Sequence, residues 1–292
     1  MDDPSSFTIA RHRGNLDGAH RLRWWRRWRR DRSGSHGAAV ARATLALDEA
    51  GGGSLSDLRL VWRQQPKVEG SGHYGHRLAF DAFGKLWISS GERMQGAPAQ
   101  DPQSALGKLL RLNDDGDLPD DNPFATQGGV AAQVWTLGHR NPLGLAFDPQ
   151  GQLWVAEMGP QGGDELNRIR REANYGWPQV SEGDNYDGSR IPRHASAPRF
   201  AAPEFAWSPV ISPGSLIFYT GSEFPQWRGQ ALLAGLSAQA LVRVVIDGAG
   251  AREVARHPLG ARLREVEQGS DGSLWVLEDG AGGRLLQLRA RR

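Results

Sequence analysis

Apolar positions along the chain fall into short runs that recur with the same punctuation. Three segments can be laid over one another, each an apolar run, a turn ending in glycine and a second run containing Leu-Trp-Ile or Leu-Trp-Val: 77–88, 144–155 and 265–276. Each segment predicts an antiparallel hairpin, because glycine suits the turn and the aromatic and β-branched residues suit the strands. The turn glycines (Gly84, Gly151 and Gly272) are 67 and 121 residues apart. This gives a period of about 60 residues if a weaker copy lies between the last two.

Repeated hairpins at this period predict sheets arranged radially around an axis, an all-β propeller. Further apolar runs predict more strands at 105–113, 240–247 and 283–289. The tryptophans after the turns are expected to pack in the core: Trp87, Trp154 and Trp275.

Composition agrees with a chain of short strands and many turns. The 292 residues include 38 Gly, 17 Pro and 11 Trp, and propellers of this size fold as single units. Cysteine is absent, so any metal must be held by oxygen or imidazole, which favours a hard cation such as calcium. The sequence as written has no signal peptide and no apolar run long enough to predict a transmembrane segment.

Charge is distributed unevenly. Residues 1–36 hold nine Arg and four Asp, or +5, whereas the other residues hold 26 basic and 29 acidic side chains, or −3. The main part of the chain is therefore slightly acidic, which argues against nucleic acid as a partner.

The first 36 residues form an atypical segment in which Arg and Trp alternate irregularly. One interpretation is a basic arm that binds a membrane or nucleic acid. The other, which we favour, is a frameshifted or misassigned start that replaces a signal peptide and about one blade, because out-of-frame GC-rich codons yield this composition. We therefore predict that residues 1–36 lie outside the fold and that residues 37–292 form one domain.

A loop histidine and a nearby acid are candidates for proton transfer. His73 lies in a glycine-rich loop directly before a predicted strand, and Glu92 follows the second strand of the same hairpin. Imidazole titrates near neutrality, which suits a general base, and a carboxylate on its second nitrogen would fix the tautomer. The alternatives are a loop histidine without a catalytic role and a solvated acid at a strand end.

A second cluster follows two neighbouring strands. Arg140 and Asn141 supply forked and neutral hydrogen-bond donors, and the backbone of Gly159 and Pro160 can offer carbonyl oxygens to calcium. Asp164 either braces that loop or forms a simple Asx turn. Such donors suit a polyanionic cofactor beside a calcium ion. The acidic run at 113–122 lacks the closing Glu of an EF-hand and predicts a turn between strands.

Together these motifs resemble the soluble quinoprotein sugar dehydrogenases, the glucose/sorbosone dehydrogenase family, over residues 37–292. The resemblance implies a six-bladed β-propeller, of which a period of about 60 residues leaves four to five blades here, so we expect the propeller to be incomplete. It also implies the cofactors pyrroloquinoline quinone (PQQ) and calcium, and a periplasmic or secreted location. The site residues that it implies are His73, Glu92 and Arg140 for catalysis, Arg140, Asn141, Arg262 and Arg264 for PQQ, and Gly159 and Pro160 for the metal.

The activity that the resemblance implies is oxidation of an aldose sugar at its anomeric carbon to the lactone, with a further, unnamed electron acceptor. One departure concerns the stretch around Ser237, where some relatives carry a lysine. An alternative is therefore a propeller that binds a sugar or another ligand without turnover. A calcium-dependent propeller hydrolase is a second alternative, but it needs several acidic or Asn ligands that this sequence does not group together.

Overall fold

The computed structural model describes residues 10–11, 21–26, 29–30, 34–47, 52–248 and 250–291, with side chains from residue 34 onward. These ranges contain β-strands and five short 3-10 helices, and no α-helix. The 3-10 helices are Ala97–Gln100, Ala125–Gln127, Ala131–Gln133, His194–Ser196 and Pro225–Trp227.

The first sheet has four strands in the order β1-β2-β5-β6, and a separate two-stranded pair joins β3 and β4. The bounds are β1 Ala10–Arg11, β2 Arg21–Arg26, β3 Arg29–Arg30, β4 His36–Gly37, β5 Ala39–Leu47 and β6 Gly53–Arg63. Backbone pairing between β2 and β5 runs antiparallel over six residues. The domain boundary placed after residue 36 stays a prediction.

Four further sheets follow in chain order, each built from consecutive antiparallel strands. The second sheet holds β7 Gly75–Phe80, β8 Leu86–Ser90, β9 Lys108–Leu112 and β10 Val134–Leu137; the third holds β11 Pro142–Phe147, β12 Leu153–Glu157, β13 Asp164–Arg168 and β14 Phe205–Trp207. The fourth holds β15 Pro213–Phe218, β16 Ala231–Gly235, β17 Ala240–Asp247 and β18 Gly250–Pro258; the fifth holds β19 Leu263–Gln268, β20 Leu274–Glu278 and β21 Leu285–Leu288.

The first strands of successive sheets pack against one another, β7 against β11, β11 against β15 and β15 against β19. Apolar side chains fill the space between each pair of neighbouring sheets, for example Trp87 with Val155 and Leu232 with Val276. Sheets that meet through their innermost strands form the blades of a β-propeller. The predicted all-β propeller is confirmed, and besides the β3–β4 pair the described residues supply five sheets of three or four strands, at the upper end of the predicted four to five blades.

One side chain joins the innermost strands. The guanidinium of Arg77 on β7 donates to the carbonyl oxygen of Leu143 on β11 at 2.6 Å, to that of Gly214 on β15, and to the carboxylate of Glu265 on β19. Four consecutive blades therefore share one cation at their inner edges, directly below the loops described in the next section.

The predicted hairpins are present, and two of their turns share one pattern of hydrogen bonds to an aspartate. Asp81 and Asp148 each accept backbone N–H groups of the turn and also the indole N–H of the tryptophan that follows, Trp87 or Trp154. Both tryptophans are buried in the core.

Trp275 corrects the prediction that all three tryptophans are buried, because 37% of it is exposed. Gly269 occupies the position that Asp81 and Asp148 occupy in the other two repeats, and the carboxylate present at this turn, that of Asp271, binds Ser273 and Arg289. The hairpin itself still forms, since the N–H of Gly269 donates to the carbonyl of Ser273 at 2.8 Å. The strand pattern predicted the hairpin correctly, but the face of β20 that carries Trp275 is open to solvent: Leu277, two residues further along that face, is also 42% exposed.

Candidate active site

His73 and Glu92 are brought together by the first hairpin of the second sheet. The imidazole Nδ1 of His73 forms a hydrogen bond with the Glu92 carboxylate. The backbone fixes the same approach, because the N–H of Arg93 donates to the His73 carbonyl at 3.1 Å. Glu92 is 1% exposed, whereas 18% of the His73 side chain is accessible. With Nδ1 occupied, Nε2 is the nitrogen of His73 that can meet a ligand.

The Glu92 carboxylate is held in its ionised form. Burial raises its pKa, but hydrogen bonds from His73 and from the backbone N–H of Gly96, together with the charges of His73 and Arg140, bring the pKa below its ordinary value. An anion on Nδ1 keeps the proton of His73 on that nitrogen, so Nε2 is left as the proton acceptor.

Arg140 follows β10 and lies at the edge of the cavity described below. Its guanidinium Nη1 donates to the carbonyl oxygens of Met158 at 3.1 Å and Gly159 at 2.7 Å, and Nη2 is 3.4 Å from the hydroxyl of Tyr186. The residue is 6% exposed, and its Nε is buried without a hydrogen-bond partner among the described groups. Because its acceptors are neutral, the guanidinium keeps its charge for an anionic ligand.

The backbone around Arg140 is fixed from both sides. Its N–H donates to the Glu157 carboxylate at 2.8 Å, and its carbonyl accepts the N–H of Glu92 at 2.9 Å. Asn141 is next in sequence and accepts the N–H of Gly75 at 3.1 Å through its side-chain oxygen. The side-chain nitrogen of Asn141 therefore points away from Gly75, and this nitrogen lies 3.8 Å from the sulfur of Met158.

The loop that contains Gly159 and Pro160 folds tightly on itself. A Cβ at Gly159 would lie 2.2 Å from the carbonyl oxygen of Gly163, so only glycine fits this position. Asp164 accepts the N–H of Gly159 at 2.9 Å with one oxygen and those of Ile211 and Ser212 at 2.8 and 2.6 Å with the other. Asp164 thus braces the loop and joins it to the loop before β15, which was one of its two predicted roles.

Burial raises the pKa of Asp164 to about 6, against the opposing effect of these backbone donors and of Arg140. The carboxylate is 1% exposed. Its part in the site is to hold backbone groups of two loops in place.

These loops enclose a cavity of about 550 Å³. Its lining includes His73, Arg140, Asn141, Met158, Gly159, Pro160, Gln161, Gly162, Asp164, Tyr186, Ser208, Pro209, Val210 and Ser212. Five of the eight predicted site residues therefore line one cavity, and a sixth, Glu92, lies behind His73.

The other two predicted residues lie elsewhere. Arg262 and Arg264 both bind the carboxylate of Asp279, Arg262 at 3.2 Å and Arg264 at 3.0 Å, and neither lines the cavity. Arg262 lies before β19 and Arg264 at its bulge, so the alternation does not fix their direction, and the shared carboxylate of Asp279 already neutralises part of their charge. Their role in cofactor binding stays a prediction.

Tyr186 lies on the cavity wall and is 74% exposed. It belongs to the loop aromatics at 173–178 and 184–188, which from the sequence could either line a sugar site or serve structural packing. Two other nearby groups were not predicted. Glu157 is buried behind Arg140 and also binds Nδ1 of His139 at 2.9 Å. His139 is 1% exposed and has its other nitrogen 2.9 Å from Thr136, so it serves the core and does not reach the cavity.

The donor set of the cavity fits PQQ, a tricarboxylic quinone. A guanidinium with an unpartnered buried Nε, an Asn amide and an imidazole line the same cavity, and forked cationic donors suit carboxylate and quinone oxygens.

Calcium has fewer protein ligands. The carbonyls of Gly159 and Pro160 would offer two of the six to eight oxygens that this ion takes, but that of Gly159 already accepts Nη1 of Arg140 at 2.7 Å. No cluster of three acidic or imidazole side chains that could hold a metal occurs in the described ranges. The acidic run at 113–122 forms a turn between strands, as predicted, with the N–H of Asn113 donating to Asp117 at 2.9 Å.

The chain belongs to a known family: residues 23–287 match the Glucose / Sorbosone dehydrogenase family. The match begins inside the Arg- and Trp-rich segment. Within the part of the chain that the structure covers, no helix is long and apolar enough to cross a membrane.

Curated relatives agree with this assignment. The chain is 39% identical over 264 residues to the aldose sugar dehydrogenase YliI of Escherichia coli, covering 88% of this chain and 70% of that protein. It is 36% identical over 270 residues to an uncharacterized protein of Synechocystis, covering 88% of this chain and 66% of that protein. The chain therefore spans about two thirds of the length of these relatives.

Solved structures show the same fold. The apo form of the soluble aldose sugar dehydrogenase of E. coli superposes with a TM-score of 0.83 at 36% identity, covering 91% of this chain and 77% of that one. The PQQ-bound aldose sugar dehydrogenase of Streptomyces coelicolor superposes with a TM-score of 0.67 at 27% identity, covering 88% and 76%.

Proposed function

We propose that this protein is a PQQ- and calcium-dependent aldose dehydrogenase that oxidises the anomeric carbon of a sugar to the lactone. The observation that carries the proposal is that His73, with Glu92 bound behind it, and Arg140 line the same cavity. Family membership and the PQQ-bound relative support the cofactor. Bound PQQ would supply the acceptor for the hydride that leaves the sugar carbon.

His73 is the base in this proposal. Its free Nε2 takes the proton of the anomeric hydroxyl as the carbon–hydrogen bond breaks, and the Glu92 carboxylate stabilises the imidazolium that forms. This pair accounts for the proton, while the two electrons of the carbon–hydrogen bond leave with the hydride.

Arg140 and Asn141 would hold the cofactor. The hydrogen-bond partners of Arg140 are two backbone carbonyls and the Tyr186 hydroxyl, none of them acidic. Its guanidinium would stabilise negative charge on the oxygens of a reduced quinone. Asn141 adds a neutral donor from the adjacent position. The carbonyls of Gly159 and Pro160 would bind calcium, with the remaining oxygens coming from the cofactor and from water.

A titration tests the proposal. The purified protein is freed of metal with a chelator, and PQQ is then added with calcium, with magnesium or with no metal while the absorption of the quinone is followed. We expect saturable binding that is tightest with calcium, followed by reduction of a dye acceptor when an aldose is added.

Two outcomes contradict the proposal in different ways. Saturable PQQ binding without dye reduction by any aldose would support the alternative of a propeller that binds without turnover. Absence of PQQ binding in all three conditions, with the protein folded by circular dichroism, would exclude the cofactor.

A further inference from the structure

Lys108 is a buried cation close to the candidate site. It is 0% exposed and begins β9, the strand between β8 and β10, where its register partners are Ser90 and Leu137. Two positions beyond Ser90 lies Glu92, and three positions beyond Leu137 lies Arg140. Lys108 therefore lies between the two strands whose ends lead to Glu92 on one side and to Arg140 on the other.

The ammonium group of Lys108 binds backbone carbonyls. Its Nζ donates to the oxygens of Pro98 at 2.8 Å, Ala99 at 2.9 Å and Leu106 at 2.7 Å. A neutral amine has only two N–H bonds, so all three contacts require the charged form. Burial lowers the pKa of Lys108 to about 7, with the charge of Asp101 opposing this, and the three carbonyl acceptors also favour the ammonium.

Burying a cation costs free energy that an apolar side chain at this position would not incur. The compensation lies in what the ammonium holds. Two of its three acceptors, Pro98 and Ala99, belong to the 3-10 helix Ala97–Gln100, which has no side-chain cap at its N-terminus. Lys108 thus anchors a short turn that has little regular structure of its own.

That turn contacts both halves of the site. The N–H of Gly96, directly before the helix, donates to the Glu92 carboxylate at 2.5 Å, opposite the oxygen that binds His73. The carbonyl of Ala99 also accepts the N–H of Gly138 at 2.9 Å, two residues before Arg140. Displacing the turn would therefore loosen the second oxygen of Glu92 and the backbone that leads to Arg140.

We propose that Lys108 is a positioning residue that fixes the His73–Glu92 pair through the Gly96–Gln100 turn. The catalytic consequence rests on the proposed function, whereas the structural consequence does not. Lys108 touches neither His73 nor the cavity, so it acts only through the turn.

The test uses Lys108→Met, with Lys85→Met as the matched control. Lys85 also binds an oxygen acceptor, the side chain of Asn113, but on the far hairpin turn of the same sheet. In the full chain without cofactor, proton NMR follows the hydrogen-bonded Nδ1 proton of His73, which the variant His73→Asn assigns. The Nδ1 proton of His194, bound to Glu182 at 2.9 Å, serves as the internal reference.

We expect Lys108→Met to broaden or abolish the His73 signal while the His194 signal persists, and Lys85→Met to leave both signals unchanged. If Lys108→Met does not fold, Lys108→Gln retains two of the three donors and should shift and broaden the His73 signal. A sharp, unshifted His73 signal in a folded Lys108 variant would overturn the proposal.

Turnover gives the second measurement, and PQQ titration separates the two proposals. We expect Lys108→Met to lower kcat by roughly 10- to 100-fold, as small displacements of catalytic groups do, while KM for the sugar changes little. Unchanged kcat would overturn the positioning role. A wild-type protein that shows no turnover would count against the proposed function, and the NMR result would still decide the role of Lys108.

Discussion

Arg140 and the pair Arg262 and Arg264 were all predicted to meet an anionic cofactor, but the structure gives them different partners. Arg140 is 6% exposed and donates to two backbone carbonyls. Arg262 and Arg264 have side chains that are 51% and 38% exposed, and both bind the carboxylate of Asp279. Arg140 has no carboxylate in its hydrogen bonds, although its charge also acts on nearby Glu92 and Asp164, whereas Arg262 and Arg264 must first give up a direct carboxylate contact to bind a ligand.

The two regions also differ in how firmly they are held. The backbone of Arg140 is bonded on one side to Glu157 and on the other to Glu92. The exposed pair depends on a single carboxylate at the edge of the last sheet, where ion pairs are screened by water and contribute little. Preorganisation therefore favours the second and third sheets as the place where the chemistry occurs.

The largest expected effect comes from removing the base. His73→Ala should lower turnover by at least about 100-fold, the usual consequence of losing a general base, and should leave PQQ affinity nearly unchanged because Arg140 and Asn141 remain. Steady-state kcat and a PQQ titration on the same preparation measure the two quantities. Near-normal turnover at equal PQQ affinity would remove His73 from the catalytic role.

The next effect compares the arginines directly. Arg140→Met should weaken PQQ binding by roughly 10- to 100-fold, the range for losing hydrogen bonds from a charged donor, and should lower turnover as well. Arg264→Met should weaken PQQ binding by no more than about fivefold, because breaking an exposed ion pair changes the free energy by about 0 to 1 kcal/mol. Titration of both variants and the parent protein measures the difference.

Asp279→Asn controls for the carboxylate itself. If Asp279 holds the two arginines away from the cofactor, this variant should bind PQQ as tightly as the parent or more tightly. Equal losses in Arg140→Met and Arg264→Met would instead mean that Arg264 leaves Asp279 and takes the predicted place beside the cofactor.

Local chemistry explains what the sequence could predict. The hairpins follow from apolar runs around turn glycines, and at two of the turns Asp81 and Asp148 also supply the acceptor for the tryptophan's N–H, whereas the third turn has Gly269 at that position. The His73–Glu92 pair was predictable for the same reason, since a hairpin of known turn position returns its second strand to its first.

Contacts across blades were not predictable. Arg77 binds groups 66, 137 and 188 positions away, and two of its three acceptors are backbone carbonyls, which every residue has. Lys108 likewise binds only carbonyls. Asp279 pairs with the two arginines because β19 and β20 are antiparallel neighbours, and a sequence shows that register only after the hairpin's bulge is known.

The smallest expected effect concerns the inner strand of the last sheet and its pH dependence. Burial and the like charge of Glu265 raise the pKa of Glu267 from 4.5 to about 7, while Arg77 opposes the rise. A raised carboxyl pKa means that the folded protein binds the proton more tightly than the unfolded chain does. Its contribution to stability is therefore fully present below pH 4.5 and is lost as the pH rises to about 7.

Glu267→Gln keeps the shape and removes the charge, so the variant should melt at nearly the same temperature as the parent at pH 4.5 and at a higher one at pH 8. Glu267 is exposed at the surface even though neighbouring groups desolvate its carboxyl, so water screens the charge and the gain should be a few degrees at most. Thermal melts at both pH values give the comparison, and a difference that is the same at pH 4.5 and pH 8 would show that Glu267 does not titrate with folding.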